Sequence, residues 1–136
     1  MRNDQPHWYG GVSPQNPGLQ TPMMQQFIAL KSTVPDALLM YRMGDFYELF
    51  LEDARIAANT LELTLTSRNK KHPEPVPMAG IPYHALDGYL RRLAKAGFKV
   101  AIAEQEEDPI NKKMMNRVLR RVVTPGVPWD SDSLNA

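Results

Sequence analysis

The side chains most able to carry chemistry in this chain are its carboxylates and histidines. A nuclease-like Mg²⁺ centre would need the fold to gather the acidic residues Asp45, Glu48, Glu104 and Glu106. Acidic residues in this number are ordinary on protein surfaces, so a nuclease is the minor alternative. With no cysteine, and three histidines that lack metal-ligand spacing, the sequence predicts no metal site. It also contains neither a phosphate-cradling glycine motif nor a nucleophilic-serine motif.

Positive charge is concentrated in the second half of the chain. The whole sequence has 16 Lys and Arg against 15 Asp and Glu, a formal net charge of +1. Between Arg68 and Arg121, however, twelve basic residues face six acidic ones. The stretch Arg68-Asn69-Lys70-Lys71 opens a loop that ends at a proline and is the most positive part of the chain. Such a loop suits an anionic partner, and simple solvation of the surface explains it equally well from charge alone.

Capping and turn signals predict the elements that position these residues. Thr21 and Pro22 favour the start of a helix that runs to about Ser32, and an extended strand follows over 37–43. Gly44 and Asp45 then form either a two-residue hairpin turn or the start of a helix. We favour the hairpin, with a strand to about residue 50 and a helix over 52–61.

The two alternatives place Phe46 and Glu48 differently. In the hairpin, Met43 lies opposite Phe46 and Tyr41 lies opposite Glu48. One face of the sheet then carries Phe46, Glu48 and Phe50, and the other carries Tyr47, Leu49 and Leu51. In a helix the two side chains would point roughly 200° apart.

The rest of the chain predicts one small domain between two tails. The sequence favours a β-type run over 63–67, an extended piece over 76–81, a helix over 83–96, a buried strand over 98–103, a polar helix or loop over 104–116 and a last strand over 117–123. Residues 1–20, rich in proline and glycine, read as a flexible tail, and residues 127–136 as a second tail or the start of a linker. The fold class is therefore α/β (α+β), a mixed central β-sheet flanked by helices.

Several motifs in order resemble one known family. The stretch Tyr41-Arg42-Met43-Gly44-Asp45-Phe46-Tyr47-Glu48-Leu49-Phe50 resembles the signature of the MutS DNA mismatch-repair family, within its amino-terminal mismatch-recognition domain, domain I. Further stretches resemble the same domain in the same order: 21–26, 77–85, the pairs at 104–105 and 108–109, and 120–126. The resemblance covers residues 21–126 and is far more specific than a lone F-x-E match.

The resemblance implies roles for particular residues. In the family, the Phe of F-x-E enters the minor groove and stacks on a mispaired or unpaired base, and the Glu hydrogen-bonds to that base. Here these residues are Phe46 and Glu48. Arg68 matches a position near the DNA backbone. Other residues implied to contact the backbone, support the hairpin or line the DNA side are Asn69, Lys70, Lys71, Met78, Tyr83 and His84.

The resemblance also sets expectations for what surrounds the domain. MutS proteins bind DNA as dimers through clamp domains and use an ATPase with ATP and Mg²⁺, and this chain contains neither part. We therefore expect no enzymatic activity and no cofactor in this chain. The expected partners are mismatched double-stranded DNA and the remaining MutS domains or a second subunit.

The chain is expected to be either an excised domain or a short homologue, cytoplasmic and associated with the nucleoid. It has no apolar run of membrane-spanning length and no signal-peptide layout. The alternative function is a stand-alone adaptor or regulatory domain that binds a protein partner without mismatch specificity.

Overall fold

A six-stranded mixed sheet forms the centre of the protein in a computed structural model, which describes residues 5–110 and 115–126. The strands lie in the order β3-β4-β2-β1-β5-β6. β1 and β5 pair in parallel, and the other neighbouring strands pair antiparallel. The strands are β1 (Leu38–Met43), β2 (Phe46–Phe50), β3 (Thr66–Ser67), β4 (Pro77–Pro82), β5 (Val100–Glu107) and β6 (Met115–Val123).

Among the described residues, three helices of ten residues flank the sheet: α1 (Pro22–Lys31), α2 (Glu52–Leu61) and α3 (Leu86–Lys95). The Thr21 hydroxyl caps α1 by accepting a hydrogen bond from the Met24 amide at 3.2 Å, as the Thr-Pro signal predicts. Short 3₁₀ turns lie at His7–Tyr9, Pro17–Leu19 and Tyr83–Ala85. The predicted α/β class is thus confirmed. No helix among the described residues has the length and apolar character needed to cross a membrane.

Strand alternation divides the core into two layers, one on each face of the sheet. The first layer packs α1 and the amino-terminal segment against one face, and contains Phe27, Tyr41 and Phe50 in edge-to-face ring contacts. The second layer packs α2 and α3 against the other face, and includes Tyr47 and Leu49. Neighbouring residues of β2 therefore serve different layers, which fixes the register of this strand.

The prediction that residues 1–20 form a flexible tail is wrong for the described part, 5–20. Its few apolar side chains, at positions 8, 9, 12 and 19, are all buried in the first layer. The Trp8 and Tyr9 rings stack with their centroids 4.5 Å apart. The Asn16 side chain accepts a hydrogen bond from the Gly18 amide at 2.8 Å, and donates one to the Glu74 carbonyl at 2.6 Å. Four buried apolar side chains and the buried side-chain amide of Asn16 thus hold this polar, proline-rich segment against the core.

A buried ion pair connects the helices of the two layers. The Lys31 ammonium of α1 lies 2.9 Å from the Asp53 carboxylate of α2, and also donates to the Ala37 carbonyl at 2.5 Å. Asp53 in turn accepts a hydrogen bond from the Leu39 amide at 3.0 Å. These partners supply the hydrogen bonds that a buried pair needs to offset its loss of hydration.

The chain reverses at Gly44 and Asp45, and β1 and β2 pair in the predicted register. β1 and β2 pair antiparallel, with Met43 opposite Phe46 and Tyr41 opposite Glu48. Gly44 adopts a positive φ of 61°, the conformation that favours glycine in a tight turn.

Two expectations near these strands are wrong. Residues 104–107 continue β5 and residues 115–116 begin β6, where a polar helix or loop was predicted. Their polarity reflects the ends of strands that extend beyond the core. Leu51 joins the first layer instead of the face of Tyr47 and Leu49, because its φ of 61° ends the strand alternation. Residues 127–136 lie outside the described residues.

Candidate nucleic-acid interface

The tip of the β1–β2 hairpin exposes a large aromatic side chain. Phe46 is the first residue of β2 and lies between Met43 of β1 and Pro82 of β4. It is 47% exposed, while Phe50 on the same face of the strand is fully buried. The strand thus begins outside the core and ends inside it, so that a rigid element presents an aromatic ring to solvent.

Glu48 projects from the same face as Phe46 and is half-buried. Its carboxylate occupies the space above Gly80, its partner on β4: a Cβ at position 80 would come within 2.5 Å of both carboxylate oxygens. Among the described residues, the Glu48 carboxylate has no hydrogen-bond donor. Burial raises the pKa of this carboxyl above its ordinary value, and the positive charge of Arg68 opposes that rise. The absence of a side chain at Gly80 therefore makes room for an acceptor with no donor in the described protein.

The basic loop contains both fixed and free side chains. Arg68 directly follows β3 and is half-buried, whereas Lys70 and Lys71 are exposed. Asn69 is occupied within the protein. Its side-chain nitrogen donates to the Asn16 side chain at 2.9 Å, and its oxygen accepts from a backbone amide. The structure gives Asn69 the role of holding the loop against the amino-terminal segment, and leaves the lysines in solvent.

The residues predicted to support the hairpin lie at different depths. Met78 is half-buried and packs against the first layer, so its contacts are structural. Tyr83 is 46% exposed, and its backbone amide donates to the Asp45 carbonyl at 2.8 Å, which ties it to the hairpin turn. His84 is exposed, and its ring contacts the Tyr83 ring edge-on, with the ring centroids 5.7 Å apart.

The acidic residues considered for a nuclease centre lie apart. Glu48 lies on the face of Phe46, whereas Glu104 lies on the opposite face, where it contacts Arg42 and the Tyr47 hydroxyl. Glu106 forms an ion pair with Arg120. Within residues 5–110 and 115–126, no three acidic or histidine side chains form a group that could hold a metal ion. The nuclease alternative therefore has no supporting geometry in the described part of the chain.

Two residues outside the predicted site, Arg42 and Gln105, contact the hairpin turn. The Arg42 side chain donates to the Gly44 carbonyl at 2.5 Å, and the Gln105 side chain accepts from the Gly44 amide at 3.2 Å. The face on which Arg42 lies could have been predicted, because strand alternation places Arg42 on the face opposite Phe46. Gln105 belongs to the pair at 104–105 that resembles the family, but its contact with the turn could not be predicted, since it depends on the long-range pairing of β5 with β1.

The fold and the site define a small α/β domain in which one hairpin presents a half-exposed aromatic ring and a half-buried carboxylate on the same face. Comparison with known families is specific: residues 21–132 match the family model described as MutS domain I, and the chain belongs to this family.

Individual relatives agree with this assignment. The chain is 55% identical over 113 residues to the DNA mismatch repair protein MutS of Solibacter usitatus, and 51% identical over 117 residues to that of Staphylococcus saprophyticus. The MutS of Desulfosudis oleivorans is 54% identical over 112 residues. The alignments cover 82%, 85% and 82% of this chain respectively, but only 13% of each relative. The chain therefore spans a small part of the length of these relatives.

Proposed function

We propose that this chain is the mismatch-recognition module of a MutS-like DNA repair protein. Its relatives carry the name DNA mismatch repair protein MutS, and its matched region is domain I. The observation that carries the proposal is the pairing of a 47% exposed Phe46 with Glu48, two residues along the same strand face. Two neighbours on one face can enter one groove of a duplex together, which residues on opposite faces could not do.

In this proposal Phe46 is a wedge that enters the minor groove and stacks on a mispaired or unpaired base. Separating a base step costs on the order of a few kcal/mol, and a mismatch has already lost part of its stacking and pairing. The wedge therefore distinguishes duplexes by how easily they deform, and not by the identity of each base. Placement on a strand suits this role, because a side chain on a strand is positioned more precisely than one on a loop.

Glu48 adds a second test of the base beside Phe46. A carboxylate brought close to DNA phosphates is repelled unless a donor compensates it, and an exposed base N–H is such a donor. The raised pKa of Glu48 offers another route, since the protonated carboxyl is itself a donor and carries no charge. In either protonation state, the Glu48 carboxyl gains a hydrogen bond to the DNA only where a base is accessible.

Arg68, Lys70 and Lys71 are assigned phosphate contacts that hold the duplex in register without reading sequence. With a formal net charge of +1, the chain has little of the electrostatic attraction that dominates most DNA affinity. The proposal therefore makes the remaining MutS domains, or a second subunit, the source of most of the affinity. It assigns no catalysis to this chain, and leaves ATP and Mg²⁺ to an ATPase outside it.

The proposal is tested by binding to short duplexes at low salt. The duplexes carry a G·T mismatch, one unpaired T, or full pairing, and the variant is Phe46→Ala. We expect the wild type to bind the first two duplexes more tightly than the paired one. In Phe46→Ala the ratio of mismatched to matched affinity should fall to about one, with matched binding unchanged. Leu65→Ala is the matched control, because Leu65 is also 47% exposed but lies just before β3, away from the hairpin tip. Equal binding of all duplexes, unaffected by Phe46→Ala, would support the adaptor alternative instead.

A further inference from the structure

The hairpin turn is held from the sheet face opposite Phe46. Arg42 occupies this position: its Nε donates to the Gly44 carbonyl at 2.5 Å, and its terminal nitrogen lies 3.3 Å from the Glu104 carboxylate. The guanidinium also lies over two aromatic rings, 4.5 Å from the centroid of Tyr83 and 5.3 Å from that of Tyr47. One planar cation thus connects the turn, β5 and the residues that follow β4.

Two further polar groups of the turn backbone are occupied as well. The Gly44 amide donates to the Gln105 side chain at 3.2 Å, and the Asp45 carbonyl accepts from the Tyr83 amide at 2.8 Å. These contacts come from β5 on one side and from the end of β4 on the other. We name the residues that hold the turn the turn-support cluster: Arg42, Tyr47, Tyr83, Glu104 and Gln105.

The Tyr47 hydroxyl completes this cluster by donating to the Glu104 carboxylate that also pairs with Arg42. Burial, together with the neighbouring Glu104 carboxylate, raises the pKa of this hydroxyl to about 12. The hydroxyl therefore remains protonated and a donor at neutral pH. Glu104 thus has two partners, the Tyr47 hydroxyl and the Arg42 guanidinium.

This support matters because the turn projects into solvent. Gly44, Asp45 and Phe46 are all exposed, and an unsupported tip of this kind would have to be ordered when it binds. That ordering would oppose the insertion of Phe46 between bases, which already costs a few kcal/mol. A tip held in place from behind avoids the additional cost.

We infer that Arg42 is a positioning residue for mismatch reading: with Gln105 it holds the Gly44–Asp45 turn so that Phe46 is presented rigidly to the groove. The inference rests on the proposed function and names residues that never touch the base. It requires the planar fork of arginine and not merely its charge. A lysine ammonium is a point donor, which cannot donate from two separate nitrogens to Gly44 and Glu104 while stacking on aromatic rings.

The test compares Arg42→Lys, Arg42→Met and Gln105→Met with the wild type in two measurements. The first uses no DNA: ¹⁵N relaxation of the amides at positions 44–46. We expect order parameters near 0.85 in the wild type and below about 0.6 in all three variants. The second is the ratio of mismatched to matched duplex binding. We expect this ratio to fall roughly three- to tenfold, with matched binding unchanged.

The control for charge is Arg91→Met, which removes an exposed arginine of α3 and should change neither measurement. An ordered turn in all three variants would overturn the inference, as would full selectivity in a variant whose turn has become mobile. Equal weakening of both duplexes by Arg42→Met but not by Gln105→Met would also overturn it, because Arg42 would then be a phosphate contact. Failure of the proposed function has a different signature, a wild type with no preference or a preference that survives Phe46→Ala, and it would overturn both.

Discussion

At the scale of single residues, Glu48 combines two opposing influences. Burial against Gly80 favours its neutral form, whereas Arg68 favours the carboxylate, and the first effect is the larger. The Glu48 oxygens are not among the fully buried polar atoms that lack a partner, so water can solvate them in the free protein. A ligand that carries an N–H donor could replace that water.

The raised pKa predicts how stability depends on pH. A carboxyl whose pKa is higher in the folded state binds its proton more tightly there, so stability falls as pH rises from the ordinary carboxyl pKa through the folded value. Glu48→Gln should therefore be more stable than the wild type at pH 7, and this advantage should disappear as the pH falls below about 4. Urea unfolding at pH 7 and at acidic pH measures the difference. Glu107→Gln, which removes an exposed carboxylate, is the control. A less stable Glu48→Gln at pH 7 would show that attraction to Arg68 outweighs burial.

At the scale of elements, the sequence was sufficient to predict those helices and turns that residues close together in the chain determine. The Thr21-Pro22 cap, the Gly44-Asp45 turn and the period of two along β2 predicted the first helix, the hairpin and the common face of Phe46 and Glu48. What depends on contacts distant in sequence could not be predicted. Composition alone makes residues 5–20 resemble a tail, and only the folded core shows that their apolar side chains have a place to pack.

Packing of the amino-terminal segment leads to a test of its contribution to the fold. Trp8 is 3% exposed, stacks on Tyr9 and lies 5.9 Å from the Lys31 ammonium. Trp8→Ala should lower the free energy of unfolding by about 3 kcal/mol, since it opens a cavity in the first core layer. Leu65→Ala, at an exposed apolar residue, should change it by less than about 0.5 kcal/mol. Chemical denaturation compares the two, and an unaffected Trp8→Ala would mean that the segment is a tail in solution.

At the scale of the whole molecule, the sheet separates the residues proposed to read the mismatch from those that hold the turn. Phe46 and Glu48 lie on one face of the hairpin, while Arg42 and Glu104 lie on the other and hold the turn. The cationic loop that begins at Arg68 follows β3, the edge strand two places from β2. Strands in a sheet lie about 4.8 Å apart, so this loop begins about 10 Å to one side of the wedge. It also begins about 17 Å away along the strands, because Ser67 lies opposite Pro77 at the start of β4 and Phe46 lies opposite Pro82 at its end. In the proposed function, the wedge and the loop would therefore contact base and backbone of one duplex at points about 20 Å apart.

This separation predicts that affinity and selectivity are lost independently. Arg68→Ala and Lys70→Ala should weaken matched and mismatched duplexes by the same factor, because phosphates are present in both. Each phosphate contact removed should also reduce the slope of log affinity against log salt concentration by about 0.9. Titrations of both duplexes at several salt concentrations measure the slope and the ratio together, with Arg91→Met as the control for net charge. If Arg68→Ala instead reduced the preference for mismatches, Arg68 would act through Glu48, whose pKa it lowers, and not through the phosphate backbone.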